Sequence, residues 1–358
     1  MPSLKEIKGR INSISSTLAI TSAMKMVASA KLQKAQMAIQ NMLPYERRLY
    51  SMLLDLMGAM NISAAASEDG SVRGSGSAER GFDQSGDRLS LSNRHDLAGM
   101  DGAYSLMAQR QVHRVAIVAF ASNSSLCGAF NSNVIREATA VINEYRASGL
   151  GDADITVYSV GRKMAEAMKK LGFPSPADFT KMSDSPSYDA ASALAQELLD
   201  GFVSGRFDKV ELVYNHYKST SSQPTIRQTY LPLSLADATA DLQAGKIADS
   251  ASESDTNRGA EPVGAPVVRQ GSPTTEDLIV EPSKEELIAT LLPKVVRLRV
   301  FTTLLDSTAA EQAARTVAMQ LATDNGNDLL QELTLEYNKG RQQKITSEIL
   351  DLVGGSMQ

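Results

Sequence analysis

The stretch LKEIKGRINSISSTLAITSAMKMVASAKLQKAQMAIQNMLPYERRLYSMLLDLMGAM, Leu4 to Met60, decides how the rest of the chain is read. Alternating steps of three and four land on Leu4, Ile7, Ile11, Ile14, Leu18, Thr21, Lys25, Ala28, Leu32, Ala35, Ile39, Met42, Glu46, Leu49, Leu53, Leu56 and Met60. Only Thr21, Lys25 and Glu46 break the apolar seam. A stripe this narrow, repeating about every 3.5 residues, marks a coiled coil and not a helix lying on a globular core. Ala, Met, Lys, Gln and Leu favour helix throughout, and such a helix would reach about 90 Å. Pro44, which has no amide hydrogen, should kink it or interrupt its hydrogen bonding.

A coil needs a second helix, and the far end of the chain supplies one. In EPSKEELIATLLPK a capping-box-like Ser283 and Glu286 open a short helix to about 292, which Pro293 interrupts. From Lys294 to about Val353 the pattern is helical, with Val317–Leu321, Leu330–Leu333–Tyr337 and Ile345–Ile349–Leu352 at coil spacing. Gly326 and Gly340 each cost about 1 kcal/mol against Ala, and TDNGN (Thr323–Asn327) has the composition of a turn that could split the helix. The two terminal helices suggest an antiparallel pair. The last is long enough to outrun the first, and its polar segment YNKGRQQKITSEI (Tyr337–Ile349) suits a slender tip.

Between the helices lies an α/β unit. HRVAIVAF (His113–Phe120) is the near-continuous apolar run of a buried central strand. After it come a helix over about Asn131–Arg146, a strand DITVYSV and a helix Arg162–Leu171. A helix over about Asp189–Gly205, a strand Lys209–Tyr217 and an edge strand TIRQTYLPLS follow. This alternation predicts a mostly parallel, Rossmann-like sheet with helices on its faces. Two Gly-, Ser- and Asp-rich stretches read as surface appendages. The expected division is therefore a coil helix over 1–60, an insertion over 61–110 and the α/β domain over 111–236. A second insertion over 237–282 and the C-terminal helix over 283–358 complete it. The fold class is α/β, with a long antiparallel coiled coil of the terminal helices.

Bulk composition narrows the function. In 358 residues, hydrophobic content of 42% and charged content of 22% describe an ordinary soluble protein with room for a sizeable core. A formal net charge of -5 argues against a general binder of nucleic acid or anionic membrane. Cys127 is the single cysteine, so an intrachain disulfide is excluded and a reducing compartment fits best. Runs such as VAIVAF and LIATLL fall far short of the roughly 20 residues a membrane helix needs, and the N-terminus enters helical pattern directly, without a signal or transit peptide.

Little in the sequence suggests catalysis. There is no phosphate-binding glycine motif and no nucleophile elbow. His95, His113 and His216 are scattered, and no Cys/His cluster has metal-ligand spacing. No catalytic residue, metal or cofactor is expected. SNSSLCGAFN (Ser122–Asn131) follows a strand and opens a helix, where α/β folds bind ligands. Cys127 there could be a nucleophile at a helix N-terminus, but it lacks a basic partner, and packing in the turn is the plainer role. Up to Arg48 the first helix carries eight Lys and Arg against Glu6 and Glu46. That face is either simply solvated or turned to an acidic partner.

Four segments, ITSAMKMVASAKLQKAQ, SLCGAFN, EPSKEELIATLLPK and AARTVAMQLATDNGNDLLQELTLEYNKGRQQKITSEILDLVGG, together resemble the γ subunits of F-type ATP synthases. The likeness covers most of the chain outside the two low-complexity stretches. The departures are the insertions after Met60 and from Ala244, and Asn123-Ser124-Ser125 where the family usually has Asp-Arg/Lys-Gly. The resemblance implies a non-catalytic rotor shaft standing inside a hexamer of α and β subunits. Its base would join the ε subunit and the membrane c-ring, so that proton flow is coupled to ATP chemistry on the partners. It implies a monomeric chain held peripherally on the cytoplasmic side of a bacterial inner membrane. By the same resemblance Met24 and Lys25 would meet an acidic loop of a β subunit, and Arg315, Gln342 and Thr346 match positions that contact β. The second insertion lies near the place of the plant chloroplast redox switch, which a lone Cys127 cannot reproduce. Two other readings stay open: an enzyme on the α/β domain with a helical dimerisation arm, and a homodimeric coiled-coil scaffold.

Overall fold

The computed structural model describes residues 3–59, 106–233 and 284–356. The insertions expected at 61–110 and 237–282 lie outside these residues except for 106–110. That short piece already belongs to the α/β domain: Leu106 is buried in its core and its carbonyl accepts from the Leu233 amide at 2.9 Å. In chain order the elements are α1 (Leu4–Ala59), β1 (Val115–Phe120), α2 (Phe130–Ala147), β2 (Ile155–Val160), α3 (Arg162–Lys170), α4 (Thr180–Asp184), α5 (Tyr188–Val203), β3 (Lys209–Asn215), β4 (Thr225–Leu231) and α6 (Lys284–Ser356).

The sheet has the order β2-β1-β3-β4, with β1 parallel to both neighbours and β4 antiparallel at the edge. Every residue of β1 is buried, because both of its faces are covered. Ala116, Val118 and Phe120 pack with α5 and the start of α6, while Val115, Ile117 and Ala119 pack with α2 and α3. The terminal helices are therefore not separate from this domain. Leu49, Tyr50, Leu53 and Leu56 of α1 and Ile288, Leu292, Val295, Val296 and Val300 of α6 complete its core.

Beyond the domain, α1 and α6 pair antiparallel. Arg299 Nη1 donates to Tyr50 OH at 2.9 Å, Thr302 Oγ1 to Glu46 at 3.2 Å and Thr323 Oγ1 to Thr21 Oγ1 at 3.0 Å. Positions thus rise on one helix as they fall on the other. From Leu4 to Leu56 every position of the expected seam is buried or half-buried, including its three polar breaks.

Expectations for the C-terminal helix are corrected at Pro293 and along its seam. The helix runs unbroken from Lys284 through Pro293, where flanking Leu292, Val295 and Val296 are fixed in the core and packing overrides the lost amide. It also continues through Thr323–Asn327, in keeping with the helical pattern read from Lys294 onward and in spite of their turn-like composition. Finally, Val317 and Leu321 are 42% and 60% exposed. Between Leu321 and Gly340 the residues withdrawn from solvent are Thr323, Gly326, Leu330, Leu333, Tyr337 and Gly340. The glycines serve close approach: a Cβ on Gly326 would lie 2.6 Å from Leu18 Cδ2, and one on Gly340 would lie 3.1 Å from Leu4 Cδ2. Gly340 is thus level with the first turn of α1. Past it, residues 341–350 are exposed on every side, and among the described residues Ile345, Ile349 and Leu352 have no helix to pair with.

Candidate functional site

Open α/β sheets bind ligands in the crevice at the carboxyl ends of their strands, where neighbouring connections diverge. Here that crevice lies beside the loop after β1, and α6 fills it. Ala310 packs on Cys127 and Phe130, with Ala314 beside them, and a Cβ on Gly128 would sit 3.9 Å from Ala318 Cβ. Small residues four apart give α6 the low face this approach requires. The loop is shaped for the contact by positive φ at Leu126 (67°) and Gly128 (58°). It is also cross-braced by Asn131, which accepts from the Ser122 amide at 3.0 Å and donates to Ser124 O at 3.1 Å.

Arg315 closes the seat. Its guanidinium donates to Ser125 O at 2.7 Å, Ser124 Oγ at 2.8 Å and Glu311 Oε1 at 2.7 Å, and the residue is only 8% exposed. Burial raises the Glu311 pKa, and Arg315 offsets only part of that rise. Asn123 fits its place as an amide: Nδ2 donates to Thr180 O at 2.7 Å while Oδ1 accepts from the Arg162 amide at 2.8 Å. An aspartate could make only the second bond. Cys127 is buried and packs against α6.

A second attachment reaches the coil from the β3–β4 loop. Asp306 on α6 pairs with His216 Nδ1 at 2.6 Å and accepts from the Tyr217 amide at 2.8 Å, while Gln36 on α1 donates to Tyr217 OH at 2.6 Å. Nothing local in the sequence connects Gln36, the adjacent pair His216–Tyr217 and Asp306, which stand far apart along the chain.

The five residues expected to contact a partner are spread along the coil. Met24 and Lys25 are half-buried on α1, beside Met26, which is 71% exposed. Gln342 and Thr346 are exposed on the tip, where Thr346 Oγ1 donates to Gln342 O at 2.9 Å. Arg315 instead points into its own chain. Among the described residues no three His, Cys, Asp or Glu could hold a metal ion, and no helix is long and apolar enough to cross a membrane.

The geometry is that of a long two-helix shaft seated in a small α/β domain. Comparison with known proteins identifies it. The ATP synthase family model matches residues 3–357. The ATP synthase gamma chain of Phocaeicola vulgatus is 47% identical over 357 residues, covering 100% of both chains, and that of Bacteroides thetaiotaomicron is 46% identical over 358. The chain belongs to the ATP synthase gamma chain family. The alignment with these gamma chains spans both low-complexity stretches. The gamma chain of Flavobacterium psychrophilum is 34% identical over 356 residues, covering 99% of this chain and 98% of its own. The fold is shared with a chain of the Euglena gracilis mitochondrial ATP synthase, OSCP/F1/c-ring, in rotational state 3. There the TM-score is 0.52 at 19% identity, covering 99% of this chain and 93% of that one.

Proposed function

We propose that this gamma chain is the central-stalk rotor shaft of an F-type ATP synthase. It couples proton flow through the membrane c-ring to ATP synthesis or hydrolysis on a hexamer of α and β subunits, and it carries no ATP chemistry itself. Its base joins the ε subunit and the c-ring, on the cytoplasmic side of a bacterial plasma membrane. The single observation that carries this reading is the tip. Residues 341–350 of α6 are all exposed, and the helix itself runs on to Ser356, a rod reaching about 24 Å past Gly340, which suits a body that must turn inside a ring of partners. Filling of the α/β crevice by α6 supports the shaft over an enzyme, since the place for a substrate holds the chain's own helix.

Met24 and Lys25 on the coil, and Gln342 and Thr346 on the tip, are the residues assigned to the β subunits. Arg315 acts one step back, by holding the Ser124–Ser125 loop to the shaft. The test is recovery of the tagged chain from detergent-solubilised membranes, followed by ATP-driven proton uptake in vesicles. Co-recovery with α, β, ε and c subunits, and uptake that depends on this chain, are expected. Recovery of the chain alone, or as a homodimer, overturns the reading.

A further inference from the structure

Beyond the domain core, the β3–β4 loop, His216–Pro224, also touches both helices of the coil together. Tyr217 on this loop packs against the cluster of Leu32 and Ala35 from α1 with Ala309 and Ala313 from α6. Gln36 holds its hydroxyl, and Asp306 holds both its amide and the neighbouring imidazole. Of these links only the imidazole changes charge near neutral pH. Protonated, His216 makes a charge-assisted bond to the Asp306 carboxylate, shorter and stronger than a neutral one. Deprotonated, it keeps at most a neutral Nδ1–H bond to Asp306, weaker than the charged one, beside the Tyr217 and Gln36 amide links.

We propose that His216 and Asp306 form a proton-set latch between the α/β domain and the coil. Closed, with His216 cationic, it keeps Tyr217 in the groove between α1 and α6 and joins the two parts stiffly. Open, with His216 neutral, the loop swings more freely and the joint softens. The charged groups acting on His216 are Asp306 from α6 and Lys218 from the loop itself, and α1 presents the neutral Gln36. The hydrogen bond to Asp306 raises the imidazole above its ordinary value of 6.5, against the opposing effects of burial and Lys218. The charge-assisted strength of the latch is therefore fully present below that ordinary value and is lost as pH rises through the folded one. This property belongs to the chain alone and does not depend on the shaft reading.

The test uses the full chain with spin labels on cysteines replacing exposed Ser221 in the loop and Gln33 on α1, buried Cys127 remaining unlabelled. Distance distributions are recorded across a pH series, and the ring of His216 is followed by NMR in the same series. The expected result is a narrow docked distance at acid pH that broadens in step with the His216 titration. Asp306→Asn should lower the His216 pKa and broaden the distance at every pH, whereas His216→Lys should keep it narrow throughout. A wild-type distribution unchanged while His216 titrates would overturn the latch. So would a His216→Lys chain that broadens as the wild type does, and these two chains decide the matter even if Asp306→Asn fails to fold.

Discussion

At the scale of single residues the chain keeps its charges inside by surrounding them. Glu211 is 1% exposed, and accepts from Tyr145 OH at 2.7 Å, Lys209 Nζ at 2.7 Å and Arg227 Nε at 2.7 Å. Burial raises its pKa, but the bonds from Arg227, Lys209 and Tyr145 carry it below its ordinary value of 4.5. The stability it contributes is present above that ordinary value and is lost as pH falls through the depressed folded one. Glu211→Gln should therefore flatten the acid limb of a urea-unfolding series and cost about 3 kcal/mol at neutral pH, the order found when a buried pair loses one partner. Arg315→Ala should also destabilise at neutral pH, leaving Glu311 buried without its cation, but here the loss should shrink as pH falls and the already raised Glu311 takes up its proton. Adding Glu311→Gln should recover part of the loss in thermal unfolding, and no recovery would mean that Arg315 matters through the Ser124–Ser125 loop alone. Met24→Lys tests the partner surface. If, as proposed, this surface meets an acidic loop of a β subunit, a second cation beside Lys25 can form a bond worth about 1.5–3 kcal/mol in one angular position. ATP hydrolysis should then persist while proton pumping falls, most strongly at low salt; parallel measurement in vesicles decides this.

At the scale of elements, legibility followed side-chain chemistry. The α1 seam could be read because its positions are mostly Leu, Ile and Ala, and β1 because both of its faces are apolar. The α6 seam was legible at Leu330, Leu333 and Tyr337 but not elsewhere, because Thr323, Gly326 and Gly340 carry close approach in place of hydrophobicity, while Val317 and Leu321 imitate a seam and face solvent. The inward turn of Arg315 was hidden for a different reason. Its main acceptors lie about half the chain away, and only Glu311, one turn earlier, gave a local hint. The glycine account has a measurable form. Gly340→Ala meets only the end of Leu4 and should gain up to about 1 kcal/mol of helix propensity. Gly326→Ala also crowds Leu18 Cγ, at 3.2 Å, and should fall below it in Tm. Leu18→Ala in the same chain should close that gap; if the two alanines are equal from the start, close packing is not what the glycine serves.

At the scale of the whole molecule, pairing ends at Gly340 while α6 goes on, so stability and function should part there. A chain stopped after Gly340 should keep the Tm of the full chain, because residues 341–350 are exposed throughout. In the assembled complex it should lose coupling between ATP hydrolysis and proton uptake, and a drop in Tm instead would mean that the tip folds back on the coil. The pairing of α1 with α6 also sets an order of events during synthesis. α1 leaves the ribosome first, but its partner helix begins only at Lys284. At about 5–20 residues per second, the seam of α1 waits roughly 11–45 s for the surface that covers it. Over that interval a newborn helix with an uncovered apolar stripe is open to the wrong neighbour, a second nascent copy above all. A seam filled with Ala, Thr and Lys where α1 passes from Thr21 to Ala28 is weakly adhesive by itself, and so lets the chain stay single until its own last helix arrives.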